Sequence, residues 1–192
     1  MMKKFSLLAG VLSLAAPLAL AQTSTWVPDK AHSEVDFSVV HLSLSKVHGR
    51  FGNIGGSIVM NDSDISKSTV NITVDTTTVD TGVAPRDNDL KSDHFFNVAQ
   101  FPTATFVSTS VAKSGGGLSI TGNLTLHGVT KPVTLSVEGP TGPVQGMDKK
   151  QHQGFSATTT ISRSAFGIAP SMPAAAVSDE VKLTIDLDLA KQ

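Results

Sequence analysis

The chain of 192 residues contains no cysteine, no tyrosine and a single tryptophan. Without cysteine there is no disulfide framework, no thiol nucleophile and no thiolate metal ligand, so the fold rests on its core alone. Charged residues are also scarce, 16% of the chain with a formal net charge of −1. That balance gives no electrostatic ground for a nucleic-acid partner or for strong attraction to anionic lipid. No apolar run beyond residue 21 is long enough to cross a bilayer. Almost no stretch carries the 3.6-residue period of an amphipathic helix.

What is present begins with an address. Lys3 and Lys4 precede a nearly unbroken apolar run from Phe5 to Leu20, and Ala19-Leu20-Ala21 is a small-x-small cleavage site. These features predict a signal peptide over 1–21 and a mature domain over 22–192. Removing Lys3 and Lys4 leaves 13 basic residues against 16 acidic, a formal charge of −3. An exported single domain with a sizeable core is the expectation, in the periplasm or beyond it.

Period-two alternation dominates the rest. Val35, Phe37 and Val39 alternate with Glu34, Asp36 and Ser38, and Leu118, Ile120, Leu124 and Leu126 with Ser119, Thr121, Asn123 and Thr125. Val133, Leu135 and Val137 alternate with Thr134, Ser136 and Glu138, and Val181 to Leu189 with Lys182, Thr184, Asp186 and Asp188. Each run has one wet and one buried face. Weaker runs at 47–60, 69–79, 104–111 and 155–161 bring the candidate strands to eight. Turn residues separate them at Asn61-Asp62-Ser63, Ser114 to Gly117, and Gly139-Pro140-Thr141-Gly142-Pro143. An all-β, eight-stranded antiparallel up-and-down barrel is expected, because closure removes exposed edges. A sandwich shares the alternation. Between Leu126 and Val133, the insert His127 to Pro132 is expected to reverse the chain at a barrel rim, with Gly128 free to take a positive φ.

One segment breaks the pattern. Thr81 to Pro102, "TGVAPRDNDLKSDHFFNVAQFP", has no alternation and brings Phe95, Phe96 and Phe101 together. A short helical insert near 87–98 is expected, with Ser92 capping a turn over Asp93 to Val98. So long a connection in a compact barrel is either a functional lid or a cap that seals one end.

Catalytic signatures are missing. There is no Gly-x-Ser-x-Gly elbow, and Gly115 to Gly117 precedes no helix that would cradle a phosphate. The six histidines, His32, His41, His48, His94, His127 and His152, form no metal-binding pair at strand or helix spacing. Neither an enzyme nor a metal site is expected. An eight-stranded barrel is just wide enough to be filled by side chains or to hold one slender ligand. A nearly uncharged interior would select hydrocarbon, since an unpaired buried charge is costly and each methylene removed from water contributes about 0.8 kcal/mol. The competing reading is a solid-core exported barrel acting as a stress-related or interaction protein.

Five segments in order, "HSEVDFSVVHL", "VHGRFGNIGGSI", "RDNDLKSDHFFNVAQFPTATFVST", "GNLTLHGVTKPVTL" and "GFSATTTISRSAFGI", resemble the YceI-like family of bacterial periplasmic lipid-binding proteins, from Trp26 to Leu189. The resemblance implies a lipocalin-like barrel whose pore holds a polyisoprenoid, isoprenoid quinone or fatty-acid derivative, with no cofactor and no covalent chemistry. Asp89, His94, Asn97 and Ala165 depart from the family's usual residues, while Arg86, Asp87, Leu90, Ser92, Phe95, Phe96 and Arg163 match. On this reading the apolar tail lies among Val35, Phe37, Val39, Phe51, Leu124, Leu126, Leu135, Phe155, Leu183 and Ile185. Phe95, Phe96 and Phe101 gate or line one end, and Arg86, His127, Lys131 and Arg163 are the head-group candidates. The partners considered are the lipid itself, a membrane surface met in passing, and a second copy of the chain.

Overall fold

The computed structural model describes residues 23–192, so the expected signal peptide lies outside the described residues. Ten strands and one α-helix follow in order: β1 (Thr23–Pro28), β2 (Glu34–His41), β3 (Ser45–Phe51), β4 (Ile54–Asn61), β5 (Thr69–Asp75), α1 (Ala84–Lys91), β6 (Thr103–Ser114), β7 (Gly117–Leu126), β8 (Val129–Gln145), β9 (Gln151–Ser162) and β10 (Glu180–Lys191). All pair antiparallel in one sheet, and β10 closes it. Along one edge β10 meets β9, while along the other Lys182–Asp186 pair with β2 and Leu189–Lys191 pair with β1. β3 and β4 in turn pair with β2 and β1.

The ten strands therefore fill eight barrel positions. Two positions are broken, one at 29–33 and one at Gly52-Asn53, where Asn53 takes a φ of +51°. The run expected as one strand over 47–60 is the second of these. β1 was not expected as a strand. Its buried row is Ser24, Trp26 and Pro28, and serine and proline conceal the apolar alternation.

Three expectations of local structure are corrected. Ser92 ends the helix instead of starting it: Pro85 sets the first turn and Asp87 lies within it, while the Ser92 N–H and hydroxyl both donate to the Asp89 carbonyl. Past Ser92 the chain makes turns, and Asn97 at φ +44° interrupts any helix there. The Gly139–Pro143 stretch is not the β8–β9 connection. β8 runs through it with two register shifts, and the chain reverses later, where Gly146 N–H donates to the Lys150 carbonyl. Between β7 and β8 the reversal needs only His127 and Gly128, both left-handed at φ +52° and +73°, so Lys131 and Pro132 already belong to β8. Two successive positive φ values match the right-handed twist of the flanking strands.

The loop from β9 to β10 is organised by Arg163, a buried cation 5% exposed. Its Nε donates to the Ser178 carbonyl, Nη1 to those of Ile168 and Ala169, and Nη2 to those of Met172 and Val177. All five N–H groups of the guanidinium are engaged, which lets the charge sit inside the loop. Asp179 fastens the other end, accepting from the Ser162 hydroxyl at 2.5 Å and the Ser164 N–H at 3.0 Å. Those donors, Ser162 first, hold the Asp179 carboxyl below its ordinary value of 3.8. A depressed folded-state pKa stabilises the fold above the unfolded value, and that contribution is lost as the pH falls through the folded value. Asp179→Asn should therefore lower the melting temperature at neutral pH, with the gap to wild type narrowing below about pH 4. A gap that stays constant down to about pH 2 would exclude this role for the carboxylate.

Candidate functional site

The inward rows of the barrel do not meet. They enclose a cavity of about 460 Å³ that is partly open to solvent. Val35, Phe37, Val39 and Phe51 line it from β2 and β3, Leu124, Leu126 and Leu135 from β7 and β8, and Phe155, Leu183 and Ile185 from β9 and β10. The alternation that placed these side chains inward is also what brings them together, because directly paired residues such as Ile120 and Leu135 share a face. Sequence reasoning overlooked Ile58, Met60, Val70, Ile72 and Phe106, which complete the wall from β4, β5 and β6. Their own strands alternate too, but polar and glycine interruptions weaken the pattern.

The Phe-rich insert divides. Phe95 and Phe96 line the cavity, and Phe96 sets its edge on Phe51 with ring centres 5.3 Å apart, continuing to Phe37 at 5.4 Å. Phe101 does not line it. Its ring packs edge-on against His127 at 4.7 Å and covers Gly128, where even a Cβ would come within 2.6 Å of it.

The four head-group candidates separate in the same way. His127 bonds through Nδ1 to the Phe166 carbonyl at 3.2 Å and pins the β7–β8 turn to the neighbouring loop, outside the cavity lining. Arg163 touches the cavity wall, yet its N–H groups are all engaged by loop carbonyls, which removes it as a head-group donor. Lys131 pairs with Leu124 and so shares the inward row of β8, though it is not part of the cavity lining. Arg86 alone among the four combines position and capacity. It lines the cavity, and Thr81 holds it through Nε at 2.8 Å and Nη2 at 3.0 Å, leaving Nη1 without a hydrogen-bond partner among the described residues. Asp87 fixes Thr81 in turn, through its hydroxyl at 2.5 Å and its N–H at 2.8 Å. His41 and Asp89, both exposed, stand with Arg86 at the opening.

A second polar locus lies apart, on the outer wall. His152, with only 12% of its side chain exposed, bonds through Nδ1 to Asp188 at 2.6 Å and through Nε2 to Asp148 at 3.1 Å. The Asp188 carboxylate first, and Asp148 after it, push the imidazole pKa above its ordinary value.

With this geometry in hand, the comparisons are consistent. The YceI-like domain matches residues 26–189. Protein YceI of Salmonella newport (strain SL254) is 43% identical over 163 residues, 84% of this chain and 83% of that protein. Among solved structures, BcnA of Burkholderia cenocepacia superposes with a TM-score of 0.71 at 24% identity, over 84% of this chain and 98% of BcnA. A polyisoprenoid binding domain from Saccharophagus degradans, implicated in plant cell wall breakdown, superposes with a TM-score of 0.60 at 15% identity, over 89% of this chain and 100% of that domain. The last two likenesses concern the fold. A domain match from the first barrel strand to the last, and a relative of such identity along the same span, establish that the chain belongs to the YceI-like family.

Proposed function

We propose that the protein binds a long-chain amphiphilic lipid, a polyisoprenoid, an isoprenoid quinone or a fatty-acid derivative, and carries or stores it with the tail inside the barrel. The observation that carries this reading is the apolar cavity of about 460 Å³. Its wall is apolar surface left out of the barrel's own packing, and each Å² of it removed from water by a ligand is worth about 25 cal/mol. Interiors are otherwise packed to crystal density, so a solid-core barrel has no use for such a space. A hydrocarbon tail fills it favourably and needs no polar contact along its length. Binding is passive in this scheme, and no bond is made or broken. The expected signal peptide favours work in the periplasm, where such a tail needs shielding from water.

The mouth orders the encounter. Arg86 offers Nη1 to a phosphate or carbonyl head, as a charge-assisted donor already oriented by Thr81. Beside it, the β2–β3 loop projects Leu42 and Leu44, 53% and 85% exposed, from the strand end that carries His41. Leu42 N–H is held by the Ala176 carbonyl at 2.8 Å, so the apolar tip stays at the opening. Two exposed leucines beside a lipid-sized mouth suit shallow, reversible contact with a membrane surface.

Native mass spectrometry of freshly purified protein, followed by solvent extraction, should show co-purifying lipid at up to one molecule per chain. Leu124→Trp, which intrudes on the cavity from a partly buried site, should keep the fold and lose tail length from the bound population, at about 0.8 kcal/mol per methylene excluded. Protein that is empty when isolated, and takes up neither polyprenyl phosphate nor quinone, would defeat the proposal. Arg86→Ala should weaken binding of a polyprenyl phosphate by roughly 10- to 100-fold, the worth of one charge-assisted hydrogen bond, while affecting an uncharged quinone less. Equal affinities for the phosphate would remove Arg86 from the site. Leu42→Ser combined with Leu44→Ser should slow lipid uptake from phosphatidylethanolamine vesicles and leave the final occupancy unchanged; an unaltered rate would rule out membrane contact through this tip.

A further inference from the structure

The outer wall carries a constellation unrelated to the lipid cavity. Where β10 passes from β2 to β1, the corner at residues 29–33 folds onto it: Asp29 N–H donates to the Asp188 carbonyl at 2.8 Å, and Ser33 bonds Asp188 through both its carbonyl and its N–H. This corner sets the Asp29 carboxylate beside Asp188 and His152. One ligand atom from each of the three lies within 4.8 Å of the others. His32, three residues from Asp29, approaches its carboxylate at 3.3 Å and lines the same groove. Glu138 and Asp186 add two more carboxylates to the groove wall, and among the described residues no lysine or arginine lines it.

We propose that Asp29, His152 and Asp188, with His32 as a fourth donor, form a binding site for a divalent transition-metal ion of the zinc type. The donor set decides the class of ion. Two imidazoles with two carboxylates suit zinc and its borderline neighbours cobalt and nickel, whereas calcium and magnesium take oxygen ligands in greater number. Asp29, His152 and Asp188 already converge, whereas His32, 69% exposed and in contact with Asp29 alone, must rotate inward to join them. Tetrahedral bonds of about 2.1 Å place ligand atoms roughly 3.4 Å apart. The 2.6 Å contact between His152 and Asp188 must open by about 0.8 Å, and gaps of up to 4.8 Å must close by up to about 1.4 Å, within the reach of side-chain rotation. Asp148 completes the arrangement. It accepts from Nε2 of His152 at 3.1 Å, which would fix the tautomer that presents Nδ1 to the metal.

The site joins residues separated by more than 150 positions, His32 and Asp188 among them, and only the barrel's closure brings them together. Occupancy would clamp the corner, β9 and β10 from outside, at the point where the ring is sealed.

The test uses untagged protein stripped with chelator and then titrated with Zn²⁺ by calorimetry, and with Co²⁺ by visible absorption. One ion per chain is expected, with the intense visible bands of four-coordinate cobalt. Asp188→Asn and Asp29→Asn should each weaken binding by roughly 100-fold or more, and Asp148→Asn by roughly 10- to 100-fold. His94→Gln, which disables the exposed neighbours Asp89 and Asp93 as a competing site, should bind as wild type does. Circular dichroism confirms that each variant is folded, and Asp29→Asn, altered on a surface corner, provides the reading if Asp188→Asn does not fold. Folded wild type that binds no Zn²⁺, or folded variants at 29 and 188 that bind it equally well, would overturn the site.

Discussion

Strand β10 hydrogen-bonds along one edge to β9 and along the other first to β2 and then to β1, and this shared edge turns an open sheet into a ring. Every other property of the molecule depends on that seam. With it, β10 has a partner on both sides, so the sheet does not end in two open edges there. It also forces the inward row of each strand to face the inward rows opposite, so alternation in sequence becomes a continuous apolar lining. Leu189, next to the β1 junction, has no exposed surface at all. Burial of that one side chain is worth about 2 kcal/mol, concentrated where the ring closes.

The ring is wide enough to leave space, and the end that carries the β2–β3 loop, the insert, the β7–β8 turn and the β9–β10 loop is divided between a sealed part and an open one. At one place Phe101, His127 and Phe166 lock the β7–β8 turn to the insert and to the β9–β10 loop. There Ile161, Phe166 and Ile168 form a small core of their own, with Phe95 and Leu126 packed against it. At the opening the lining changes character to His41, Arg86 and Asp89, groups that keep contact with water. The insert therefore acts as both cap and rim. Phe95 and Phe96 extend the apolar wall, while α1 presents charge to solvent a turn away.

How much of this could be read from the sequence depended on whether a residue's role is set by its own strand or by something distant. Phe37, Leu135 and Ile185 were legible as inward because period-two alternation is local and closure preserves it. β1 was illegible because Ser24 and Pro28 occupy its buried row. Ser92 carries a side chain suited to either end of a helix, and Pro85 with Asn97 decided which. Arg163 resembled a ligand donor by residue type, yet five backbone carbonyls between Ile168 and Ser178 take its N–H groups, and no spacing rule announces such a convergence. His127 likewise required a partner 39 positions away. The Asp29–His152–Asp188 group was invisible for the same reason. A search for paired histidines looks along the chain, and these ligands meet across it.

β10 also shows how one strand of 12 residues carries an apolar row and a charged row without interference. Ile185, Leu187 and Leu189 point one way and Asp186 and Asp188 the other, with a single backbone between them. A charge pointing inward would face an apolar cavity and carry a desolvation cost of several kcal/mol, whereas on the outer face it keeps its water or gathers histidine and cation partners. The alternation that builds the apolar cavity thus necessarily builds a polar outer row at the same register. Because closure aligns that row with the β1–β2 corner, the outer cluster exists only when the ring is shut. An ion held there would bind the closed barrel in preference to the open sheet, and by linkage it would stabilise the seam on which the cavity depends.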